Sequence, residues 1–114
     1  MEKSIIIDGK EILMEANAST PRKYRAEFGK ELFLELSNAV SKGGEVENLE
    51  VFENLAFIMA KQAGTATGDI ETWLASFDSP MAITTAIGEI MALWNANTKT
   101  IATAKKKAKT LTDQ

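Results

Sequence analysis

The reactive groups this sequence offers are hydroxyls, amines and carboxylates, because it contains no cysteine and no histidine. That removes thiol nucleophiles, thiolate metal sites and the imidazole that most often serves as general base or metal ligand. Ser19, Ser41, Ser76 and Ser79 therefore have no base to activate them. A serine nucleophile would need a lysine partner, and no spacing suggests one. Glu45, Glu47, Glu50 and Glu53 gather in one stretch, yet they fall in a linker and a first helical turn and read as a solvated acidic face. The seven glycines match neither a P-loop nor the dinucleotide fingerprint. No enzyme activity, cofactor or metal site is expected.

Two further groups suggest binding without reaction. Arg22, Lys23, Arg25 and Lys30 form a small basic cluster, either a docking patch for an acidic partner or, by default, intramolecular partners of Glu45 to Glu53. Basic residues near a helix start oppose its dipole, so something must compensate them. Trp73, Leu74 and Phe77, with Trp94 further on, are large apolar anchors at helical spacing. Such residues more often build core, and where they remain exposed they make binding surface.

The elements that position these residues belong to one small domain. A chain of 114 residues, 45% hydrophobic and 25% charged, supports a single core. Up to Thr98 eight Lys or Arg face fifteen Asp or Glu, a net of −7; from Lys99 onward five lysines face Asp113, a net of +4. The acidic body disfavours nucleic-acid binding, which needs clustered cations on an ordered surface. The longest apolar stretch, Leu55 to Ala60, is far short of the roughly 20 residues that span a bilayer, and the charged start leads into no signal-peptide core. The expectation is an intracellular chain without a membrane partner.

Ser4 to Ile7 and Lys10 to Met14 flank Asp8-Gly9 and predict a β-hairpin at about residues 4–15. Two strands are marginal alone, so the hairpin must lie on the helices or on another copy, and it offers an assembly edge. Thr20 and Pro21 predict a cap and first position for a helix whose stripe, Tyr24, Phe28, Leu32, Leu36 and Val40, runs to Ser41. Gly29 interrupts that stripe as a kink, a break, or a close approach of another backbone. Lys42-Gly43-Gly44 predicts the helix end, and Asn48 the cap of a second helix with Leu49, Phe52, Leu55, Ala56, Met59 and Ala63 facing the core. Asp69 predicts the cap of a short helix ending near Asp78, and Ser79-Pro80 the start of another reaching about Asn97. The expected fold is mainly α, with four to five helices and an N-terminal hairpin in residues 1–98. Residues 99–114, with Ile101 and Leu111 as their only large apolar side chains, predict a flexible Lys-rich tail.

The stretch Ala16-Asn17-Ala18-Ser19-Thr20-Pro21-Arg22-Lys23-Tyr24-Arg25, followed by Glu27-Phe28-Gly29-Lys30-Glu31-Leu32, resembles the start of tail assembly chaperones from long-tailed phages and prophages of Gram-positive bacteria. In that family it follows a short hairpin much like Ile5 to Ile12. Order and length are similar across the chain. The Thr-Pro-Arg-x-Tyr-Arg core with Phe-Gly after it carries the specificity, and the helical remainder does not.

The resemblance implies an assembly factor of the bacterial host cytoplasm, absent from the mature virion. Such proteins bind the tape measure protein, keep its apolar helical segments soluble, and bring tail tube subunits to polymerise around it. They use no cofactor. A member that coats a filament self-associates, and many occur with a longer form made by ribosomal frameshifting. Lys105-Lys106-Lys107 suits a run of adenines on which a ribosome slips. Trp73, Leu74 and Phe77, or the hairpin edge, are the expected protein contacts, with Arg22 and Arg25 as further candidates. A small helical adaptor or a structural tail or connector subunit would share this composition, and a DNA-binding regulator fits it least.

Overall fold

The computed structural model describes residues 1–96. The expected tail over 99–114 lies outside them.

The β-branched run Ile5 to Ile7 and the returning Lys10 to Glu15 build strands β1 (Glu2–Ile7) and β2 (Lys10–Glu15), paired antiparallel with Ile5 opposite Ile12. Asp8 and Gly9 both take positive φ, 55° and 76°, the backbone of the tight turn whose twist matches a hairpin. One face points Ile5, Ile7 and Met14 into the core, while Ile6 is left exposed on the other. The hairpin rests on the chain's own helices, with β2 against the central helix. The N-terminal amine closes its open end by donating to Glu15 Oε1 and the Ala16 carbonyl.

Helix α1 spans Thr20–Phe28, with Pro21 in its first turn, where a missing amide hydrogen costs nothing. Ser19, not Thr20, occupies the cap position, and no side chain caps it. Thr20 is fully buried, and its hydroxyl accepts from the Asn17 amide and donates to Gln62 Oε1. Of the three options at Gly29, the chain takes the break. Gly29 sits at φ 70° and donates its amide to the Arg25 carbonyl, and a separate helix, α2 (Leu32–Ala39), follows. Gly29→Ala is expected to destabilise the fold by about 1–2 kcal/mol, the cost of a Cβ in the left-handed region, although no atom crowds that Cβ. Denaturant unfolding measures it.

α2 stops at Ala39, two residues before the predicted end. Val40 turns extended and bridges antiparallel to Val46, so the Gly43-Gly44 pair shapes a small loop instead of capping the helix. The stretch read as an acidic linker is thus partly paired backbone.

The longest apolar segment becomes α3 (Glu50–Gln62), and every residue from Asn54 to Ala60 is buried. It is surrounded on all sides, more than its predicted stripe implied. Leu49 holds the cap position, while the Asn48 side chain accepts from the Glu50 amide in the first turn. Asp69 caps α4 (Ile70–Ala75) as expected, accepting from the Thr72 amide at 2.8 Å. That bond holds the Asp69 carboxyl below its ordinary pKa. Its contribution is therefore present above the ordinary Asp range and lost as pH falls through the depressed value. A fifth helix, α5, is described over 82–96, one turn after the Ser79-Pro80 start, with the Ser79 hydroxyl accepting from the Met81 amide.

Five helices and one two-stranded antiparallel hairpin thus make up the described residues, with 53% helix and 15% strand. The hairpin is too large a share, and too deeply seated, to be an appendage. A main cluster joins the hairpin and all five helices, α2 through Leu32, and a second, built on Ala39, Val51 and Phe52, is covered by Ile87 and Met91 of α5.

Candidate protein-docking surface

The Ala16 to Arg25 motif divides into two faces. Ala16, Thr20 and Tyr24 are buried, and Asn17 anchors the turn between hairpin and α1. Its Oδ1 accepts from the Ser19 amide and from Gln62 Nε2, and its Nδ2 donates to Glu15 Oε1. This network ties β2, α1 and the end of α3 together. Tyr24 packs 5.0 Å, ring to ring, from Phe28, and its hydroxyl lies within reach of the buried Asn54 amide. Burial raises the Tyr24 pKa, more than the Asn54 contact lowers it.

Arg22, Lys23 and Arg25 form the exposed face. The predicted pairing of the basic cluster with Glu45 to Glu53 does not occur. Arg25 pairs instead with Glu31 at 3.0 Å and Lys30 with Glu35 at 3.7 Å, because the break at Gly29 brings the start of α2 beside the end of α1. The first pair is exposed at both ends and the second at its lysine, so each is worth at most about 1 kcal/mol. Arg22 and Lys23 have no ion-pair partner among the described residues. Lys23 borders a shallow cleft of about 250 Å³ between α1 and α3, floored by Ile58, where Lys61 pairs with Glu27.

Trp73 and Phe77 are 7% and 8% exposed and belong to the core. Their rings meet edge to face at 5.1 Å, and Trp73 also packs 5.7 Å from Phe57 of α3. Little of the two rings in the expected Trp73, Leu74, Phe77 face is therefore displayed, because Trp73 packs onto Phe57 of α3 and Phe77 onto Trp73. Leu74 alone of the three is half-buried, at the mouth of a second cleft.

The exposed apolar surface lies elsewhere. Phe33 and Leu34, at the start of α2, are 57% and 62% exposed, and Val40, Val46 and Leu49 add exposed side chains beyond its other end. Phe33 leans on Trp94 of α5, with ring centroids 5.5 Å apart. The spacing of the stripe concealed these residues by directing attention to Leu32 and Leu36. The signal was present in Leu32-Phe33-Leu34: a helix lying on a core buries one face, so three consecutive large apolar residues leave some outside. α2 packs on α1 and α3 and touches α5 through Phe33, which still leaves more than half of Phe33 and Leu34 to solvent.

The second cleft, about 310 Å³, opens where α4 hands over to α5 and is lined by Leu74, Phe77, Pro80 and Ile83 with Glu53 and Asp78. Burial, and then the charges of Glu50 and Glu71, raise the Glu53 pKa. The folded state therefore holds the Glu53 proton more tightly than the unfolded chain, so this stabilisation is present at low pH and is lost as pH rises through the raised value. Glu53→Gln is expected to raise the melting temperature at neutral pH, with the gain vanishing below the ordinary Glu range. A melting series against pH measures both.

No group of three or more His, Cys, Asp or Glu side chains able to hold a metal occurs among the described residues, and no helix among them is long and apolar enough to cross a membrane. Comparisons with protein-family models, with curated proteins and with solved structures find no match.

Proposed function

We propose that this chain is a phage or prophage tail assembly chaperone: a mainly α protein that binds the tape measure protein, keeps it soluble and recruits tail tube subunits in the host cytoplasm. The observation that carries the reading is the pair Phe33 and Leu34 at the start of α2, which stay more than half exposed although Phe33 touches Trp94 of α5. It stands beside the resemblance of the Ala16 to Leu32 stretch to that family. Adjacent on one helix, Phe33 and Leu34 make a small apolar patch, and exposed patches of that kind serve as protein contacts.

The chemistry suits a client of repeated amphipathic helical segments. Covering Phe33 and Leu34 is worth at most about 1.5–3 kcal/mol each, which gives a weak single contact. Many copies along one long client gain by avidity, roughly 10²–10⁴ over a single site, while each copy remains displaceable by a tube subunit. Helix-in-groove contact, with client anchors three and four residues apart, supplies the geometry. No catalytic group takes part.

An assembly factor works on the particle and then leaves it. Tape measure protein recovered from cells during assembly is expected to carry this chain, and purified virions are expected to lack it by mass spectrometry. Recovery of the chain in finished particles at fixed stoichiometry would contradict the proposal and favour a connector subunit.

A further inference from the structure

The cleft between α4 and α5 combines apolar walls with uncompensated negative charge. Leu74, Phe77, Pro80 and Ile83 form its sides, and Glu53 and Asp78 its rim. Glu50 and Glu71 lie close enough to act on Glu53 electrostatically. None of these four carboxylates has an ion-pair partner among the described residues. Asp8 adds a fifth from the hairpin turn, where its Oδ2 accepts from the Asp78 amide. The neighbouring cation, Lys10, is engaged with the Ser76 carbonyl at 2.9 Å and lies over the Phe77 ring on the hairpin side.

We infer that this cleft is the docking site of the chain's own Lys-rich segment, residues 99–114, with the lysines at Glu53 and Asp78. Two observations select that occupant. The first is charge: the body carries −7 and the segment +4, from five lysines against Asp113. The second is reach. Ala82 and Ile83 at the start of α5 line the cleft, and the described part of α5, 82–96, carries the chain about 22 Å away. The nine residues 97–105 span up to about 30 Å when extended, enough to return Lys105 to the cleft. A tether of that length presents its lysines at roughly millimolar effective concentration, so a modest intrinsic affinity suffices for occupancy. A basic stretch on another protein must compete with it. The segment thereby screens the acidic end of the molecule until a stronger cationic partner displaces it. The inference stands independently of the assembly reading.

The absence of cysteine from the native chain makes the test direct. A nitroxide on Thr110→Cys of the full chain, read by NMR at low ionic strength, is expected to remove most of the intensity from amides of Leu74 to Ile83. Intensity is expected to return in 1 M salt, where the Debye length shrinks to about 3 Å, and in the variant combining Lys105→Glu, Lys106→Glu and Lys107→Glu. A circular-dichroism melt of that variant checks that the described core keeps its packing. A mixture of spin-labelled unenriched chain with unlabelled ¹⁵N chain separates self-contact from exchange between copies. Broadening seen only in that mixture, broadening spread evenly or centred on Phe33, or broadening that survives the lysine reversal would each overturn the inference.

Discussion

Phe57→Ala is expected to destabilise the protein by about 3–5 kcal/mol, a large part of the 5–15 kcal/mol that holds a domain of this size together. Phe57 is fully buried in the middle of α3, the helix against which the hairpin, α1, α2 and α4 all pack. Its ring packs obliquely on Trp73, and the Lys61 ammonium lies 5.4 Å from its centroid. Truncation leaves a cavity between two helices and removes an aromatic pair worth about 0.5–1.5 kcal/mol beyond its area. Urea unfolding followed by tryptophan fluorescence measures the loss, since Trp73 reports on that contact. Phe57→Leu, which keeps most of the volume, should cost less than about 1.5 kcal/mol after repacking. Equal costs for the two would mean that the ring is not packed as described.

The double replacement Phe33→Ser with Leu34→Ser is expected to behave oppositely. Both side chains are more than half exposed, so their loss removes one ring contact with Trp94 and little else, about 1 kcal/mol or less of stability. Their effect on client binding should be large. If this pair makes the central contact, losing it at every copy along a repeated client multiplies through avidity, and a ten-fold weakening per site compounds to loss of the complex. A circular-dichroism melt close to that of the parent, together with failure to co-purify tape measure protein, is the expected pair of results. Retention of the client by a folded double variant would move the docking surface away from α2. The Phe57 and Phe33 variants thus separate core from surface, the first expected to change folding and the second client binding.

Local chemistry made much of the fold legible. Asp8-Gly9 specified its turn because few residue pairs accept two positive φ values, and Asp69 specified its cap because its side chain bonds an amide three residues on. What spacing could not resolve was tertiary. Thr20 has the residue type of a cap, yet it is drawn into the core by Gln62, forty-two positions away. The end of α2 was misplaced because the Val40–Val46 bridge competes with the glycine pair for the same backbone. Trp73 and Phe77 sit at a spacing equally suited to burial and to display, and α3 decides between them. The basic cluster was assigned distant partners because the sequence left open whether Gly29 breaks the helix, and the break supplies Glu31 and Glu35 locally. Phe33 and Leu34 were legible in principle, as the surplus in a run of three apolar residues.

The proposed role of this chain is to lend apolar surface to another polypeptide for a limited time. Its most direct test is to express a phage tape measure protein from the same tail gene cluster with and without the full chain, and to measure by sedimentation how much remains soluble. The tape measure is expected to pellet alone and to stay in the supernatant, bound by many copies, when the chain is present. A tape measure that pellets equally in both, with the chain folded and abundant in the supernatant, would contradict it.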